Sequence, residues 1–206
     1  MKKALLLPLL VMLSACAFEP MPDPIQLNYA DMERIYLNTK ELRIVDRSQD
    51  TPKWDPYVGH EFAPTLTDAI YRLAGDRLQA VGKKGRAKLI IKDANVIEQT
   101  IESSSDFDSL FTREQALKYI GRVEVSLEAQ SPRGALSVAT AHAVHSVTLP
   151  EDPSGAEKYR AYTKLLNNLI AGLNRHLETA IKQHMRRFLV RKPPNFIPPT
   201  QPVNAQ

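Results

Sequence analysis

Cysteine is almost missing from this sequence: Cys16 stands alone among 206 residues. One thiol can build neither an internal disulfide framework nor a cysteine-ligated zinc site. Signatures of catalysis are missing as well. The chain has no G-x-S-x-G turn to hold a serine nucleophile, no H-E-x-x-H pair to bind zinc and no P-loop to cradle phosphate. Its first apolar run, from Ala4 to Met12, is interrupted by Pro8 and falls short of the roughly 20 residues a spanning helix needs. No single sign of charge dominates either. The formal net charge is +4, and Lys2 and Lys3 supply two of the cations. Nucleic-acid binding would ask for a clustered basic face with stacking aromatics, and no nucleic-acid partner is expected of so nearly balanced a chain.

The histidines and acids form no metal pattern. His142 and His145 have odd spacing, which on a strand sends them to opposite faces. His176 and His184 are eight residues apart, about 12 Å along a helix. Asp106 and Asp108 lack the further oxygen ligands and the glycine of a calcium loop. Neither a metal nor a cofactor is expected.

What is present begins at the N-terminus. Met1, Lys2 and Lys3 precede the apolar run, which ends at Leu13, Ser14, Ala15 and Cys16. A positive segment, an apolar segment and small residues are the layout of an export signal. Leu13-Ser14-Ala15-Cys16 resembles the lipobox of bacterial lipoproteins. The resemblance implies cleavage before Cys16 and acylation of its thiol and of the new amino terminus. It also accounts for the lone thiol, which in an oxidising compartment would have no disulfide partner. Ala17 and Phe18 follow the cysteine in place of the aspartate that retains many such lipoproteins in the inner membrane. The resemblance therefore implies the outer membrane, facing the periplasm.

Four regions are expected: a signal peptide over residues 1–15, a Pro-rich tether over 16–30, one domain over 31–190 and a Pro-rich tail over 191–206. The tether carries Pro20, Pro22 and Pro24, and the tail carries Phe196 and Ile197. Ile35 and Leu37 alternate with polar neighbours, and Leu42 and Ile44 resume in the other phase, which predicts a strand with a bulge or break. Thr65 and Asp68 cap a helix whose apolar stripe runs to Val81 and closes at Gly82. Lys83, Lys84, Gly85 and Arg86 form a solvated basic turn after it. Ala87 to Ile101 reads as a long strand with a bulge near Lys92-Asp93. Thr112 with Gln115 predicts a short helix to about Tyr119. The cleanest strand follows, from Ile120 to Ala129, and it pairs through the Ser131–Gly134 turn with Ala135 to Leu149. The small face of that second strand, Ala135, Ala139, Ala141 and Ala143, suits a helix packed closely across it. Ser154 and Glu157 cap a final helix to about Val190. The expected fold class is α+β, a two-layer sandwich of a mixed, mostly antiparallel four-stranded sheet with a crossover helix and a long C-terminal helix on one face.

Two stretches are candidate interaction surfaces. The aperiodic loop from Ser48 to Pro64 holds Trp54, Tyr57, His60 and Phe62. Either Trp54 and Phe62 fold back as a lid on the core, or the four residues form a partner-binding surface. The basic residues Arg186, Arg187, Arg191 and Lys192 either complement the helix dipole or meet anionic headgroups or an acidic partner. At the level of architecture the chain resembles small envelope lipoproteins such as ABC-type transport auxiliary lipoproteins and the lipopolysaccharide-assembly lipoprotein. That resemblance implies a noncatalytic accessory or assembly factor that is anchored in the membrane and acts through an envelope membrane-protein partner. A lipid or glycolipid carrier with a groove between sheet and long helix is the alternative, and an enzyme acting on envelope polymers is a third reading.

Overall fold

The computed structural model describes residues 20–48, 52–101 and 115–191. Cys16, Asp106, Asp108, Thr112, Lys192, Phe196 and Ile197 lie outside them. The centre is a hairpin built by strict alternation: β5 (Gln115–Gln130) pairs antiparallel with β6 (Leu136–Pro150), Val125 opposite Ala141. Gly134 turns the chain at φ 85°, a conformation that favours glycine. β4 (Arg86–Thr100) lies antiparallel on the other side of β5, with a register shift between Ile91 and Asp93 where the sequence predicts a bulge. β2 (Glu41–Asp46) runs parallel to β4, giving the order β2-β4-β5-β6.

Two helices cover one face of this sheet. α1 (Leu66–Arg77) starts at the Thr65/Asp68 capping box and connects β2 to its parallel neighbour β4. α2 (Gly155–His184) starts at the Ser154/Glu157 box. Its buried stripe of Leu165, Leu166, Leu169 and Leu173 meets Val123, Val125 and Leu127 in one apolar cluster. The small face of β6 works as the sequence suggests. Ala139 and Ala141 are buried, and a Cβ on Gly172 would lie 3.4 Å from that of Ala143. The α+β two-layer architecture is therefore as expected.

A second, three-stranded sheet was not expected. β1 (Ile35–Leu37) lies at its centre, parallel to β3 (Leu78–Ala80) and antiparallel to β7 (Leu189–Val190). This sheet corrects three boundaries. The phase change at Asn38–Lys40 is a crossing from one sheet to the other. α1 ends at Arg77 because the backbone of Leu78 to Ala80 pairs with β1, and Gly82 serves a close crossing: a Cβ there would stand 2.6 Å from the backbone of Asn38 and Thr39. α2 ends at His184, and Phe188 reaches the core from a 3-10 turn (Arg186–Phe188) that leads into β7.

A fourth correction concerns the short helix expected up to Tyr119. Gln115 to Tyr119 belong to β5, where Leu117 pairs with both Thr100 and Leu149, and Tyr119 is buried. Pairing on both sides outweighs a local capping pattern worth about 1 kcal/mol.

The second half of the segment read as a tether lies against the domain. Ile25, Leu27 and Tyr29 touch the core cluster. The Ile25 amide donates to the Tyr159 hydroxyl at 3.0 Å and the Tyr29 amide to Asp76 at 3.1 Å.

Candidate functional site

The loop before α1 is bound to the sheet by backbone hydrogen bonds, Val58 N–H to Val96 O (2.9 Å) and Glu98 N–H to Pro56 O (2.8 Å). Its four singled-out residues do not form one surface. Phe62 is buried, stacked on Tyr162 with ring centroids 4.3 Å apart and planes 6° apart, and meets the edge of Tyr119 at 5.8 Å. Tyr57 is half-buried and bridges to Ile97, and His60 is exposed. Trp54 is 71 % exposed. The lid reading thus describes Phe62 and fails for Trp54. Burial raises the pKa of Tyr162 and Tyr119, and the Tyr162 hydroxyl donates to Pro64 O at 2.8 Å. A small recess of about 190 Å³ separates the loop from α1, lined in part by Asp46, Ser48, His60 and Asn95. Ser48 Oγ donates to Asp46 Oδ1 at 2.7 Å there, and the Ser48 amide donates to the same oxygen, so this pair fixes the end of β2.

At the other end of α2 the basic residues are exposed but diverge. Arg186 Nε donates to Lys182 O and so caps the helix. Arg187 lines an open hollow of about 530 Å³ with Lys83, Lys84 and Pro132. Arg191 lines a different one, about 720 Å³, with Arg34, Tyr36 and Lys182.

The floor of that second hollow is Arg77, a cation 4 % exposed that sequence reading left unremarked. It donates to Asn174 Oδ1 (3.1 Å), Glu178 Oε2 (2.6 Å) and the carbonyl of Glu33, tying both helices to the arriving chain. Glu178 also accepts from Lys182 Nζ at 2.5 Å, and these bonds, Lys182 first, hold its carboxyl below the usual range against the opposing effect of burial. The available signal was position: Arg77 lies on the stripe of Ile70, Leu73 and Ala74, where a cation needs a buried partner.

His142 and His145 do take opposite faces. His145 Nε2 bonds Asn168 at 2.9 Å, while the His142 carbonyl accepts from His176 Nδ1 at 2.6 Å. Among the described residues, no three His, Cys, Asp or Glu side chains converge as a metal site would require. No described helix is long and apolar enough to cross a membrane.

The edges of the large sheet contrast. β2 carries Glu41, Arg43 and Asp46. β6, at the other edge, has no charged residue along its whole length from Leu136 to Pro150. Ser131 N–H donates to Ala135 O across the hairpin, so the odd-numbered residues of β6 bond to β5 and the even-numbered ones point their backbone groups outward. The His176–His142 bond fits this parity. The same even positions expose Leu136 (56 %), Val138 (40 %) and Val144 (61 %). Sequence reading attended to the small inner face of this strand and passed over the outer one, although a strand of this length without a charge was the visible sign.

No family model matches the sequence, and no curated protein matches it. Solved structures do show likeness. A minor lipoprotein from Acinetobacter baumannii is 12 % identical, with a TM-score of 0.37 over 75 % of this chain and 98 % of that one. The rare lipoprotein B from Shewanella oneidensis is 12 % identical, with a TM-score of 0.37 over 69 % and 95 %. An uncharacterized lipoprotein B from Nitrosomonas europaea is 12 % identical, with a TM-score of 0.42 over 79 % and 93 %. These neighbours are bacterial lipoproteins; at such scores no role, partner or site is carried over from them.

The groove that a lipid carrier would need between sheet and long helix is filled. A Cβ on Gly121 would lie 2.3 Å from Leu169, and the void between the layers, beside Leu73 and Leu173, measures about 10 Å³. That is about enough for one water and too little for an acyl chain.

Proposed function

We propose that the chain is a noncatalytic accessory lipoprotein of the bacterial envelope, anchored through Cys16, on the periplasmic face of the outer membrane, and acting by docking on a protein partner. The observation that carries the partner is the outer edge of β6. An uncharged 15-residue edge strand with outward backbone groups and exposed Leu136, Val138 and Val144 is suited to accept an extended segment of another polypeptide as an added strand. His176 occupies the edge at His142, which leaves two stretches, 136–140 and 144–148, open to such pairing. The exposed arginines Arg187 and Arg191 are secondary contacts in this reading. Lys192 and the rest of the Pro-rich tail follow Arg191 in the sequence.

Crosslinking in cells followed by purification of the lipoprotein is expected to recover a specific envelope protein. Val138→Lys with Val144→Lys should abolish that recovery while leaving the unfolding midpoint of the purified chain within error, since both positions face water. Recovery of a free monomer from the native chain, or undiminished partner capture by the double variant, would overturn the docking reading. Cys16→Ala should remove palmitate labelling and release the protein from the membrane fraction; labelling that persists refutes the anchor.

A further inference from the structure

We infer that the domain meets its own bilayer end-on, with Trp54 seated at the headgroup level of a zwitterionic lipid surface. The inference rests on the anchor at Cys16. Met21 follows Cys16 by five positions, a span of at most about 18 Å. Met21 lies over the first turn of α2, its methyl group 3.9 Å from where a Cβ on Gly155 would stand. The N-terminal end of α2 is therefore held close to the acyl chains.

The Trp54 loop occupies that same end. Tyr159, in the second turn of α2, accepts from the Ile25 amide of the arriving chain and donates to Ala63 O of the loop (3.4 Å). Phe62 stacks on Tyr162 one turn further, and Tyr57, three residues after Trp54, bridges to Ile97 beside the end of β4. Trp54 and Met21 are the two most exposed large apolar residues described, at 71 % and 65 %. An exposed indole beside an acyl anchor matches the interface, where an apolar ring with one polar N–H is favoured.

Charge selects the lipid class. This end carries Asp55, Glu61, Asp68, Glu98, Glu151, Asp152 and Glu157 against Lys53, Lys118, Lys158 and Arg160, an excess of acids that gives anionic headgroups no attraction to it. Exposed arginines lie instead at the far end of α2, which 30 residues place about 45 Å away. Arg186, Arg187 and Arg191 are thereby turned away from the membrane that holds Cys16.

Trp54 is the chain's only tryptophan, which gives a direct readout. The intact lipoprotein is reconstituted into phosphatidylcholine vesicles, and its acyl chains are verified by intact mass. Trp54 emission should then shift to the blue, be quenched by bromine-labelled acyl chains, resist aqueous acrylamide and stay unchanged when salt is raised. Trp54→Phe combined with Arg187→Trp moves the reporter to the far end, where acrylamide should quench it freely and brominated lipid should not. A correctly acylated protein whose Trp54 remains open to acrylamide overturns the inference and leaves the anchor intact. Equal lipid quenching at both positions overturns the end-on arrangement. A chain without acyl groups removes the anchor and the inference together.

Discussion

Phe62 and Trp54 stand eight residues apart in one loop and meet opposite fates, and the difference lies in what surrounds each ring. Phe62 has Tyr162 on its face and Tyr119 at its edge, an arrangement worth about 0.5–1.5 kcal/mol beyond the apolar area it buries. Phe62→Ala is expected to cost about 3–5 kcal/mol in urea unfolding, since the cavity opens beneath a loop already fixed to β4. Trp54→Ala should stay within about 0.5 kcal/mol of the native chain in the same measurement. Sequence placed both aromatics in an aperiodic loop and had no means to separate them. The partners of Phe62 come from positions 119 and 162, far along the chain.

Single elements show the same competition between local and distant causes. Capping boxes at Thr65 and Ser154 were legible because both partners of each box lie within four residues. The ends of those helices were not legible. Leu78 and Leu189 continue an apolar pattern that either period accepts, and pairing with β1 decides the matter. Gly121 leaves room on β5 for the Leu165 and Leu169 side chains of α2. Gly121→Ala would set a methyl group 2.3 Å from Leu169 in a filled layer and is expected to destabilise by about 1–3 kcal/mol, checked by denaturant midpoint. A relaxing Leu169→Ala in the same chain should recover part of the overpacking loss, so the double variant should be more stable than the sum of the two single losses allows.

For the whole molecule, buried tyrosines tie folding to alkaline pH. Burial, with the Asp76 carboxylate second, pushes Tyr29 up to about 12, and burial raises Tyr119 and Tyr162 as well. Free tyrosine titrates near 10. Between those values the unfolded chain has lost protons that the folded chain keeps, so this contribution is complete below about pH 10 and disappears as pH rises through the folded values. Glu178 acts at the other extreme. Its depressed pKa gives stability that is present above the unfolded carboxyl value near 4.3 and is lost as pH falls through the folded one. Thermal midpoints across pH should accordingly form a plateau with a fall on each side. Tyrosinate absorbance should include a component that rises with unfolding; simple titration of every tyrosine near 10 in a folded chain would contradict the assignment.

The sequence by itself determined the features whose causes are local: the lipobox resemblance at Cys16, both helix N-termini, the alternation of β5 and β6, and the small inner face that admits α2. Interactions between residues close in the chain determine each of these, apart from the last, which rests on side-chain size. Only the tertiary structure decided that Asn38–Lys40 separates two sheets, that Gln115 to Tyr119 is strand, that Arg77 is the buried tie between helices and arriving chain, and that β6 ends the sheet without charge. Long-range pairing and burial set these features, because a backbone hydrogen bond or a buried cation depends on a partner that the local sequence does not name.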